Sequence, residues 1–195
     1  MSKSTRHQSP PKDERHFHNR PLSALQPIDS FPFKPASSAG LVWGSIFLMW
    51  MLSLLPWRLW SIAPDLLLLV LCFWTLHEPQ RVNMLAGFLL GLSLDVHGGA
   101  LLGEHALSYV LAIYGVGLLR RRLLLFNAFV QLIHLFPIWV LALAASRFLH
   151  AWFAGEWLGW AWIWSAVFMA ALWPIADFLL LLPHRLRDSA EESVP

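Results

Sequence analysis

From Gly40 to Pro183 long apolar runs alternate with brief polar breaks. A bilayer core of about 30 Å asks for about 20 helical residues per crossing. On that spacing the runs predict spans near 40–57, 62–77, 82–97, 100–119, 123–146 and 157–183. The second and third are short, since about 16 residues rise only about 24 Å, so loop residues complete them or the bilayer thins there. The last is long, and Pro174, which has no N–H and frees the carbonyl of Ala170, supplies a place to bend. The predicted fold is all-α, a polytopic bundle of six transmembrane helices spanning 40–183. A polar, Pro-rich and basic segment, 1–39, precedes it and a short tail, 184–195, follows. The first segment has no sustained apolar period and is expected to be disordered. It also lacks the apolar core of a cleavable signal peptide, which makes the first run a permanent span.

Composition agrees. The chain is 57% hydrophobic and 13% charged with 12 Trp, and its mean hydropathy is +0.54, which excludes an ordinary water-exposed globule. Net charge divides as +3 before Gly40, 0 across the apolar portion and −1 after Pro183, so nothing favours nucleic acid as a partner. Lys and Arg are distributed unevenly over the breaks. Twelve lie in the two tails and in the breaks holding Arg81 and Arg120, Arg121 and Arg122, while the other breaks hold only Arg58 and Arg147. By the positive-inside rule both termini are cytoplasmic, as an even number of spans requires. Trp57, Trp60, Trp152, Trp157 and Trp160 flank the opposite breaks, where an indole keeps its ring in acyl chain and its N–H in water.

Polar residues inside spans are costly and mark contacts or cavities. Asp65 follows Pro64 at the start of the second run, where Pro suits the first helical position and a carboxylate suits the positive end of the dipole. Gly87, Gly91 and Asp95 recur every four residues, so a small-residue groove leads to an acid on one face, a surface for helix packing or for a partner. Asp95, His97, Glu104 and His105 are permitted metal-ligand types, but no metal-binding spacing joins them and no metal or other cofactor is expected. Asn127, Gln131 and His134 share a face that can hydrogen-bond across helices or line a cavity. A candidate polar pocket therefore draws on Asp65, Asp95, His97, Glu104, His105, Asn127, Gln131 and His134. Arg120, Arg121 and Arg122 suit the negative end of the fourth helix, fix topology and can meet anionic lipid. The single Cys72 reads as a buried apolar residue. No nucleophile elbow, phosphate-binding loop or zincin helix occurs, so no catalytic residue is assigned.

Pro64-Asp65-Leu66-Leu67, Phe73-Trp74, HEPQRV from His77 to Val82, Gly87 to Leu92, Asp95-Val96, Leu102 to Leu107, Arg121-Arg122, Gln131 and Leu172-Trp173-Pro174 form an ordered set. In order and spacing the set resembles the rod shape-determining protein MreD family, over about residues 40–187. The resemblance implies an inner-membrane, non-enzymatic subunit of the bacterial elongation machinery. Its implied partners are an MreC-like periplasmic protein, an MreB-like filament, and the glycosyltransferase and transpeptidase of side-wall peptidoglycan synthesis. It also implies a fold like the substrate-binding subunits of ECF transporters. Two features depart from the family: Glu104 stands where Gln usually follows Leu-Gly, and the basic tail is unusually long. If Asp95 and Glu104 share a cavity they repel unless a histidine intervenes. Three functions follow in order of preference. The first is a scaffold whose Gly87/Gly91/Asp95 groove, with Trp173 and Pro174 as further packing positions, receives the partner's helix. The second is an ECF-type small-molecule binding subunit. The third is an enzyme acting on a lipid-linked precursor through Asp95 or Glu104.

Overall fold

The computed structural model describes residues 38–55, 62–99, 101–157 and 159–192, with side chains through 182. Tail 1–37 and the segment holding Trp57, Arg58 and Trp60 lie outside the described residues. Six helices and no strands are present among them: α1 (Ala39–Ser53), α2 (Leu66–His77), α3 (Met84–Gly98), α4 (Glu104–Leu123), α5 (Ala128–Ala154) and α6 (Trp162–Glu192).

Local chemistry sets the ends. Ser38, Asp65, Asn83 and Asn127 cap α1, α2, α3 and α5, each side chain accepting from a backbone N–H three residues on, as short oxygen-bearing side chains do at helix starts. Gly99 and Gly155, at φ 60 and 71, close α3 and α5 in the left-handed conformation that glycine adopts without strain. Asp65 is itself the cap, so Pro64 precedes the helix rather than occupying its first position. Several expected boundaries move. α5 begins at Ala128 rather than 123, because Asn127 caps it, and runs to Ala154, past the arginine that suggested a break at 147. α6 continues through Pro174 and beyond the expected limit at 183 to Glu192.

α2 is the central helix. Every residue from Leu67 to Leu76 is buried, which is the condition that an all-apolar helix requires. It packs against α1, α4 and α6; α4 packs between α3 and α5, and α5 against α6. Indoles bolt these elements together: Trp74 Nε1 donates to Ser45 Oγ at 2.8 Å, Trp50 Nε1 to Ser93 Oγ at 2.8 Å, and Trp139 Nε1 to Cys72 Sγ at 3.3 Å. Trp74, Trp139 and Trp173 are fully buried, whereas Trp152, Trp157 and Trp160 are exposed, Trp152 by 84%.

α5 and the stretch Trp162–Leu182 of α6 are long and apolar enough to cross a membrane; α1, α2 and α3 are shorter apolar helices. At 12 residues, α2 rises only about 18 Å. Large apolar side chains nevertheless face outward from every helix but the enclosed α2, among them Phe47, Leu85, Leu118, Leu141 and Phe178. So much outward apolar surface on a monomer matches a lipid environment or a partner, not water.

Candidate functional site

The predicted polar residues separate into two groups, at opposite ends of α4 and about 30 Å of helix apart. At the first end, Gly103 opens α4 at φ 98 with no side-chain cap of its own. Asp95 of α3 supplies it. Its fully buried carboxylate accepts from Gly103 N and His105 N, both at 2.9 Å, and from His105 Nδ1 at 2.6 Å. Those amides are the unsatisfied donors of a helix start, and an anion is favoured there. Gly91 makes the approach possible: a Cβ on it would stand 2.6 Å from Ala106 N and Cα. One turn further down, a Cβ on Gly87 would collide with Ile113 of the same helix. The small-residue groove is thus filled by α4.

Glu104, 3% exposed, points the other way. One oxygen accepts from Arg147 Nη1 at 2.6 Å and the other from His150 Nδ1 at 2.8 Å, both on α5. The two acids therefore do not confront each other, since His105 covers Asp95 while Arg147 and His150 cover Glu104. Asp65, besides capping α2 through Leu68 N at 3.1 Å, accepts from Tyr109 Oη at 2.9 Å. Between these side chains lies a polar cavity of about 70 Å³, whose walls include Asp65, Glu104, His105, Ser108, Ser146, Arg147, Trp162 and Ser165.

The expected pocket is therefore only partly assembled. Asp65, Glu104 and His105 line the cavity and Asp95 stands behind His105, but His97 is exposed on the last turn of α3. Asn127, Gln131 and His134 belong to the far end. There Gln131 Nε2 donates to the carbonyls of Leu123 and Phe126 at 3.1 and 3.0 Å, and its Oε1 accepts from Trp173 Nε1 at 3.2 Å. Asn127 caps α5, while His134 bonds to Val130 O at 2.9 Å and stacks on Phe126. Arg120 Nε donates to Leu76 O at 2.8 Å, closing the C-terminus of α2, and Arg121 and Arg122 are exposed. Pro174 lies beside Trp173 within α6.

Arg147, His150, Tyr109 and Trp162 escaped the sequence reading. Tyr109 follows His105 by four residues, and His150 follows Arg147 by three and Ser146 by four. Each spacing puts polar groups on one face, a signal that was present but masked by counting Arg147 as a loop charge.

The family described as rod shape-determining protein MreD matches residues 29–182. The chain belongs to the MreD family. A rod shape-determining protein MreD of Haemophilus influenzae is 32% identical over 142 residues, covering 70% of this chain and 83% of that protein. No solved structure matches the chain. The MreD match takes in all of α1 to α5 and the apolar part of α6, so the capped helix start, the α4–α5 ion pairs and the polar cavity all fall inside it.

Proposed function

We propose that this MreD-family chain is a non-enzymatic scaffold of the rod-shape machinery in the inner membrane. Its occupant is the single transmembrane helix of an MreC-like partner, and through it the filament, glycosyltransferase and transpeptidase of side-wall peptidoglycan synthesis. The observation that carries the reading is the use made of the interior polar groups. Asp95, Glu104, Gln131 and Arg120 each close a contact between two helices or a helix end, which is the chemistry of a rigid body and its outward surfaces. With α4 occupying the Gly87/Gly91 stripe, the partner's helix takes an outer apolar face such as that of α3, where Leu85, Phe88 and Leu89 are exposed.

Orientation is part of the proposal. Arg120 reaches Leu76 at the end of α2, Trp74 near that end reaches Ser45 midway along α1, and Trp50, later in α1, reaches Ser93 toward the opposite, Asp95-bearing end of α3. The start of α1 therefore belongs with the arginine-bearing end, which the positive-inside rule assigns to the cytoplasm. Arg147, bound to Glu104, adds no free charge to the other side. The test is affinity purification of the tagged chain from mildly solubilised membranes. Co-purification of an MreC-like protein is expected; an intact chain that retains none contradicts the scaffold.

A further inference from the structure

The polar cavity has an apolar neighbour. A hollow of about 460 Å³ is lined by Pro64, Phe168, Ala171, Leu172 and Ile175, and Ala63 belongs to the walls of both. Along α6 the last polar wall residue, Ser165, and the first apolar one, Phe168, are one turn apart, so the two spaces adjoin.

The polar end is unsatisfied in one direction only. Trp162, 6% exposed, and Arg147 both line the cavity, and the buried atoms Trp162 Nε1 and Arg147 Nε have no hydrogen-bond partner. Two buried N–H donors without acceptors are unfavourable unless an oxygen enters the cavity. The wall acceptors are engaged elsewhere, Glu104 with Arg147 Nη1 and His150, Asp65 with Leu68 N and Tyr109. Ser108 and Ser146 spend their hydrogens on the carbonyls of His105 and Leu143, which leaves their lone pairs able to accept. Fixed charge argues against an anion: Asp65 and Glu104 outnumber Arg147 in the walls. A hydroxyl fits each requirement, with two lone pairs for two N–H groups and one hydrogen for a serine oxygen.

From this we infer that the chain carries a site for an uncharged, single-chain lipid, its head hydroxyl in the polar cavity and its hydrocarbon chain in the hollow. Water alone would satisfy the donors but leave the hollow unexplained. A helix about 10 Å across fills a comparable volume within a single turn, whereas one hydrocarbon chain enters end to end. The inference needs the membrane location and is independent of the MreC-like partner.

The experiment uses the full chain in lipid nanodiscs with a monoacylglycerol bearing a photoreactive diazirine in its chain, beside a probe of identical chain with a phosphate head. Labelled peptides are mapped by mass spectrometry. The glycerol-headed probe is expected to label the 168–175 stretch saturably and about tenfold more than the phosphate-headed one. Trp162→Phe keeps the ring and deletes the unpaired N–H; it should weaken that labelling about tenfold, the factor for one hydrogen bond to a buried group. Ala171→Leu, at a lipid-facing position, should abolish it by filling the hollow while leaving the melting midpoint unchanged. Equal labelling by both heads, or labelling insensitive to Ala171→Leu, overturns the proposal. So does labelling that ignores the head group and is displaced by the MreC-like partner, which would give the hollow to a protein helix.

Discussion

Asp95 belongs to α3 yet performs as the N-cap of α4, satisfying two partly buried amides of the helix start and the His105 imidazole. Asp95→Ala is expected to destabilise the bundle by about 2–4 kcal/mol, the sum of a lost cap and orphaned amides, read as a lowered melting midpoint in detergent. An unchanged midpoint would mean the carboxylate is not structural. Gly91 gives a sharper contrast. A methyl there meets the α4 backbone, whereas a methyl on Gly117 meets nothing within 4 Å. Gly91→Ala should cost about 1–3 kcal/mol through overpacking, while Gly117→Ala should be neutral or stabilising by up to about 1 kcal/mol. Equal effects would remove the close-approach explanation. The four-residue register of Gly87, Gly91 and Asp95 was readable in the sequence because it defines a face. What lies against that face was not readable, because periodicity carries no information about which helix comes to meet it.

Between elements, the tie that periodicity hides most completely is Glu104 to Arg147, 43 residues apart. Its loss leaves a partly buried guanidinium without its carboxylate. Glu104→Gln should therefore cost about 2 kcal/mol, toward the lower side of buried-pair values because Arg147 remains partly exposed. Arg147→Ala in the Glu104→Gln background should add much less than it does alone, a coupling that a double-mutant cycle of melting midpoints measures. Additivity of the two substitutions would show that the pair does not couple α4 to α5. The apolar runs did locate all six helices. Their ends were the weak part, and the physical reason is visible at α5: Arg147 looked like a boundary charge, but Glu104 neutralises it inside the bundle and the helix continues to Ala154. At the other end the face shared by Asn127, Gln131 and His134 was legible, yet Asn127 turned out to cap its own helix while only Gln131 reaches across to another.

Across the described helices, the polar chemistry gathers toward two ends with a sheath of apolar and aromatic side chains between them. α6 passes Gln131, at the end carrying Arg120, Arg121 and Arg122, through its Trp173 contact, so on the proposed orientation fusions at the C-terminus should report from the cytoplasm, by alkaline phosphatase inactivity and fluorescent-protein activity. The reverse pattern would overturn the orientation. The split of the expected pocket belongs to this scale as well: Asp65, Glu104 and His105 converge only because α2, α4, α5 and α6 bring their ends to one cavity, a property of the packing order that no local spacing encodes. The most direct test of the scaffold reading is the amount of MreC-like partner retained per folded chain, compared across Gly91→Ala, Glu104→Gln and the unaltered protein. Interior substitutions should lower the quantity of folded chain and leave that ratio constant. A ratio that falls in those variants while the fold stays intact would place the partner, or a reaction, at the interior polar groups instead of on the outer surface.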